Sequence, residues 1–126
     1  MLWDTKSHIR RNVRVMCDDA GLTTAQKNIL CACIRQESNW DPKAVSPLNK
    51  NNTRDYGLVQ INNHVGYWIG DGLYFSSIDE VLNNPEKSAR FMIKQFKAGK
   101  QNFWSSYNSK AYLKWLLSES LPSTPY

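Results

Sequence analysis

Apolar positions recur with helical spacing over most of the chain, and the pattern breaks in one central place. Between residues 4 and 20, Ile9, Val13, Met16, Cys17 and Ala20 share a face, Asp4 or Thr5 can cap the start, and Gly21 suits the closing turn. A second helix is predicted from Thr23 or Thr24, where Thr23 and Gln26 have the spacing of a capping box. Its inner stripe runs Leu30, Cys33, Ile34 and, one turn on, Glu37. Asp41-Pro42 ends it, because the residue before a proline is pushed out of the helical region.

Residues 43 to 66 lose the helical period. Pro47, Asn49, Asn51, Asn52 and Gly57 mark turns, while Leu58, Val59 and Ile61 give a short apolar segment. Two or three short strands, or an ordered loop, are expected there. Gly70-Asp71-Gly72 is a further turn, and then helices resume. Ser77-Ile78-Asp79-Glu80 has a capping-box pattern, and Asn84-Pro85 opens a helix with Ala89, Met92, Ile93 and Phe96 inside and Gly99 at its end. A last helix is predicted from Lys110 to about Ser118, with the tail LPSTPY loosely held. The expected fold class is α+β, mainly α, as one domain over residues 1–126.

Composition narrows the partners. A chain of 126 residues can build one moderate core. No stretch approaches the roughly 18 to 20 apolar residues of a membrane span, and the N-terminal residues lack the apolar centre of a secretion signal. Stable membrane insertion is therefore not expected. The net charge of +5 gathers at Lys6, Arg10, Arg11 and Arg14 and again from Lys87 to Lys100. It favours an anionic partner, either nucleic acid or an acidic envelope polymer. Because these residues spread over several helices without a recognition motif, nucleic acid is disfavoured. Cys17, Cys31 and Cys33 are odd in number and read as reduced, buried thiols. Cys31-Ala-Cys33 lacks zinc-site spacing, so neither metal nor cofactor is expected.

The last residue of the second stripe carries chemistry. Burying an ionised carboxylate is costly, so Glu37 is a candidate for an acid held protonated near neutral pH. That property is what cleavage of a bond with a poor leaving-group oxygen requires. A partly exposed glutamate in a last helical turn is the plainer alternative. A second acid, Asp55, precedes the segment Tyr56 to Asn62. In one regular strand Asp55 and Gln60 would face opposite sides; they reach one cleft only if Gly57 breaks the period. Asp55 as a turn residue or a partner of Arg54 is equally open at this point.

The sequence Glu37-Ser38-Asn39-Trp40, followed by Asp55-Tyr56-Gly57-Leu58-Val59-Gln60-Ile61-Asn62, resembles the lysozyme superfamily. Asp41-Pro42-Lys43-Ala44-Val45-Ser46 resembles the lytic transglycosylases within it, and Trp104 to Asn108 (WSSYN) is similar to their Y-N motif. The matches cover about residues 29–63 and 104–108. The resemblance implies a mainly helical, lysozyme-like fold with a small sheet lining a cleft. It implies cleavage of the β-1,4 bond between N-acetylmuramic acid and N-acetylglucosamine, with the peptidoglycan glycan strand as the partner of a monomer. Glu37 would be general acid and later base, and Asp55 the second carboxylate of a hydrolytic muramidase. Ser46, Tyr56, Gln60, Asn62, Tyr107 and Asn108 would bind substrate, with Tyr107 close to Glu37. The P-x-A-x-S and Y-N matches favour a lytic transglycosylase, whose 1,6-anhydro product forms by attack of the muramic acid's own C6 hydroxyl. A non-catalytic glycan-binding module is a third reading. Three cysteines cannot supply the animal enzymes' disulfide framework. A small, basic chain of this kind suits a bacteriophage endolysin, held in the host cytoplasm before release, or a virion component.

Overall fold

The fold is built around a helix whose middle is apolar on every side. In the computed structural model, which describes residues 2–123, α2 spans Thr24–Ser38. Its residues Leu30, Cys31, Ala32, Cys33 and Ile34 are all fully buried. Small side chains at three of those five positions let neighbours approach closely, and a helix apolar all round belongs at the centre. Helices α1 (Lys6–Asp19), α4 (Pro85–Lys97) and α6 (Leu113–Glu119) pack against it. The chain also forms α3 (Ile78–Asn83), a 3₁₀ turn (Gln101–Phe103) and α5 (Ser105–Asn108). Among the described residues, no helix is long and apolar enough to cross a membrane.

The predicted caps operate. The Thr23 hydroxyl accepts from the Gln26 backbone N–H at 3.1 Å, and the Gln26 side-chain Oε1 accepts from the Thr23 N–H at 2.8 Å. Thr5, rather than Asp4, caps α1 through the His8 N–H. At α3 the pattern is shifted by one: Ser77 accepts from the Glu80 N–H, but Glu80 reaches back to the Ser76 N–H instead of that of Ser77. Pro85 occupies the first turn of α4, and Ala89, Met92, Ile93 and Phe96 are buried as the spacing predicts.

Three expectations need correction. Helix α2 stops at Ser38, three residues before Asp41-Pro42, because Asn39 turns into the left-handed region (φ 52°) and donates its N–H to the Arg35 carbonyl. The last helix begins at Leu113, since Lys110 is also left-handed (φ 62°). The segment after α6 is anchored, not loose. Arg10 donates to the carbonyls of Glu119, Leu121 and Pro122, and Arg14 donates to that of Glu119. Residues 124–126 of the expected tail lie outside the described residues. Two of the four early basic residues are thus turned inward rather than toward an anionic partner.

The non-helical centre is a miniature sheet. Strands β1 (Asp55–Tyr56) and β2 (Ile61–Asn62) pair antiparallel, Asp55 opposite Asn62 and Tyr56 opposite Ile61. Val45 adds an antiparallel bridge to Tyr56. The connecting turn, residues 57–60, points into the protein, with Gly57, Leu58 and Val59 buried. All three cysteines are buried and unbridged. Burial pushes the Cys31 thiol up to about 11 and that of Cys33 to about 12, so both stay protonated at neutral pH.

Candidate functional site

A cleft of about 490 Å³ opens where the end of α2 meets the hairpin. Glu37 stands on one wall, and Asp55, Gln60 and Asn62 on another. His64, Tyr67 and Trp68 follow from the segment after β2, and Phe103, Trp104 and Ser105 close the far side. The lining combines two carboxylic acids, amides and a bank of aromatic rings. Rings of this kind stack on the apolar faces of sugars while acids and amides meet their hydroxyls.

Three tethers hold Glu37 in place. The following residue, Ser38, donates its hydroxyl to the Leu58 carbonyl at 2.6 Å, joining the helix end to the hairpin turn. Beyond it Trp40, fully buried, also adopts a left-handed backbone (φ 63°). That conformation is strained for so bulky a residue. It is held by the indole N–H, which lies 3.2 Å from both carboxylate oxygens of Glu119. Glu119 in turn accepts from Arg10 Nε at 2.9 Å and lies 3.5 Å from Arg35. The third tether is direct: the Ser106 N–H donates to Glu37 Oε2 at 3.3 Å.

The electrostatics favour a protonated Glu37. Burial raises its pKa above the ordinary value of 4.5, and the nearby negative charge of Asp55 adds in the same direction. The Ser106 amide, bonded to Glu37, and the nearby Ser106 hydroxyl oppose the shift without cancelling it. The C-terminal, negative end of the α2 dipole also disfavours negative charge there. A group in this state can hand a proton to a leaving-group oxygen.

Asp55 is held differently. Its Oδ1 accepts from Asn62 Nδ2 at 2.9 Å and its Oδ2 from Asn49 Nδ2 at 3.3 Å. The Asn62 amide also donates to Thr53 Oγ1, and its oxygen accepts from the His64 N–H. Gln60 reaches the cleft because the period breaks at Gly57 (φ 80°) and the chain folds back into a hairpin, with Gln60 itself left-handed (φ 57°). Its Nε2 donates to the Gly57 and Ala44 carbonyls. A Cβ at Gly57 would come within 3.0 Å of a Val81 methyl and 3.3 Å of the Val81 carbonyl. Only glycine fits there.

Four of the residues expected to bind substrate are not among those lining the cleft. The Ser46 hydroxyl accepts from the Asp55 N–H and faces the Pro47 carbonyl, so it fixes β1 from behind. Tyr56 packs against the core beside Val45. Tyr107 lies over Gln26, Ile29 and Phe96, stacked on Tyr112 at 5.5 Å. Asn108 donates to the Asn102 carbonyl on the surface. The residue of that motif that meets Glu37 is Ser106, one position earlier. Conversely, His64, Tyr67, Trp68 and Phe103 line the cleft without having been singled out. The density of aromatics after Asn62 was their one signal.

Compared with known proteins, the chain matches the family described as Transglycosylase SLT domain over residues 20–117. It is 51% identical over 37 residues to Lysozyme 2 of Lucilia sericata, a stretch that is 29% of this chain and 25% of that protein. The aligned stretch thus spans a quarter of that relative's length.

Proposed function

Because the chain belongs to the Transglycosylase SLT domain family, we propose that it cleaves the β-1,4 bond between N-acetylmuramic acid and N-acetylglucosamine in peptidoglycan, as a lytic transglycosylase. The observation that carries this reading is Glu37, a glutamate on the wall of an aromatic-lined cleft whose carboxyl is shifted by burial toward the protonated form. The Glu37 carboxyl protonates the glycosidic oxygen, the C1–O bond breaks, and N-acetylglucosamine leaves as the free alcohol. Positive charge develops at C1 of the muramic acid. Glu37, now a carboxylate, removes the proton of the C6 hydroxyl as that oxygen bonds to C1. The 1,6-anhydro ring closes without consuming water, and Glu37 ends protonated.

A hydrolytic outcome is the second reading, favoured by one feature. Asp55 lines the same cleft with both oxygens held by amide donors, the disposition of an oriented carboxylate facing a developing cation. Mass analysis of muropeptides from a peptidoglycan digest separates the outcomes. Anhydro ends, lighter by one water, support transglycosylation, whereas reducing ends support hydrolysis with Asp55 as second carboxylate. Digests without any product refute both and leave a glycan-binding module.

A further inference from the structure

Ser106 presents an anomaly. It is buried, in α5, and its N–H holds Glu37 Oε2. Its hydroxyl is sealed from solvent and, among the described residues, meets no partner in good hydrogen-bond geometry, although it lies near enough to influence the Glu37 carboxyl. Yet it faces the Glu37 carboxyl and the Cys33 thiol. A buried hydroxyl with nothing to bond costs about 1–3 kcal/mol, and such groups are rare in folded proteins. Packing alone does not call for the oxygen, since an alanine methyl would fill nearly the same space.

We infer that the Ser106 hydroxyl is a positioning donor reserved for the ionised form of Glu37, engaged when that residue has given up its proton and idle when it holds it. The inference rests on the assignment of Glu37 as the acid that works in this cleft. The asymmetry follows from donor counting. A protonated carboxyl is satisfied by the Ser106 N–H and needs to place its own proton on the substrate. A carboxylate formed in the same buried place has lost that proton and needs a second donor. The hydroxyl can rotate to supply one without any movement of the backbone. An interaction made only after proton transfer lowers the barrier instead of tightening the ground state.

The titratable groups around Glu37 leave this task to a neutral donor. Cys33 on its own helix is held as the thiol, Asp55 on β1 carries a like charge, and α5 contributes only Ser105, Ser106, Tyr107 and Asn108. His64 lines the same cleft from the segment after β2. Of the basic side chains nearest in sequence, Arg35 is directed at Glu119 and Lys43 at the Asn83 side chain.

The test uses the whole chain in three forms: parent, Ser106→Ala and Ser106→Thr. Carbon NMR titration of the Glu37 carboxyl, identified by its loss in Glu37→Gln, reads the coupling without any need for cleavage. In Ser106→Ala the midpoint is expected to rise by about one unit, kcat on peptidoglycan to fall roughly tenfold with KM unchanged, and the alkaline limb of the rate profile to move up with the midpoint. Ser106→Thr, which keeps the hydroxyl, should restore all three. An unchanged midpoint in Ser106→Ala overturns the inference, as does a kcat loss that Ser106→Thr fails to recover. A raised midpoint in a protein that releases no muropeptides upholds the link between Ser106 and Glu37 and overturns the proposed function instead.

Discussion

Two glutamates are withdrawn from solvent, Glu119 wholly and Glu37 in part, and they have opposite surroundings. Glu119, at the end of α6, is wholly enclosed and faces Arg10, Arg35 and the Trp40 indole. Glu37, at the end of α2, borders an open cleft and meets Ser106 and the like charge of Asp55. Both lose solvent, to different degrees; the company differs more. A guanidinium beside a carboxylate matches its charge and makes it a structural joint. Partial burial beside neutral donors instead shifts the acid toward its protonated form. Trp40 follows Glu37 by three positions, so Glu119, which holds the Trp40 indole, braces the turn just beyond the cleft glutamate.

The sharpest way to break that contrast is at Glu37. Glu37→Gln should reduce release of muropeptides by about a thousandfold, with the thermal unfolding transition preserved. A Gln variant that still lyses peptidoglycan would remove the acid from the mechanism. Next comes the opposite outcome at the other site. Glu119→Ala strands Arg10 in the interior and should cost about 3–4 kcal/mol in urea denaturation. Were that variant as stable as the parent, the joint would not be holding the turn. At Gly57, a Cβ meets Val81 in a left-handed backbone, and Gly57→Ala should cost about 2 kcal/mol and reduce cleavage by displacing Asp55 and Gln60; crystallography or amide exchange of the hairpin would register the shift.

The smallest effect is a pH dependence of stability. Glu37 has a raised pKa when folded, so the folded state holds its proton more tightly than the unfolded chain. Its contribution is complete below the unfolded value of 4.5 and is lost as pH rises through the folded value. Glu37→Gln should therefore match the parent in acid and become the more stable of the two at higher pH. Paired denaturation curves across that range provide the check, and the reverse ordering would mean that burial does not govern Glu37.

What could be read in advance follows the range of the forces involved. The capping box at Thr23 and Gln26, the buried stripe leading to Glu37 and the required break at Gly57 are local, and each stands within a few residues of its cause. The partners of Glu119 were beyond reach: Arg10 lies 109 positions away, and nothing in the surrounding Leu117 to Ser120 marks that glutamate as internal. The early end of α2 had a signal in Asn39, a residue that tolerates the left-handed cap, but Trp40 in the same conformation had none. The WSSYN segment shows a finer limit. Its placement beside Glu37 followed from resemblance, yet which side chain turns inward depends on a four-residue helix whose phase no periodicity reveals.

The buried turn of the hairpin also sets an order of events during synthesis. Leu58 finds its donor, Ser38, 20 residues earlier in the chain. The Val59 carbonyl waits for the Trp104 indole N–H, which binds it at 2.7 Å and leaves the ribosome 45 residues later. Phe103, Trp104 and the Ser106 amide that grips Glu37 arrive together. A nascent chain therefore carries its acid long before it has a closed cleft to use it in. Completion of the site is tied to the emergence of Trp104 and Ser106.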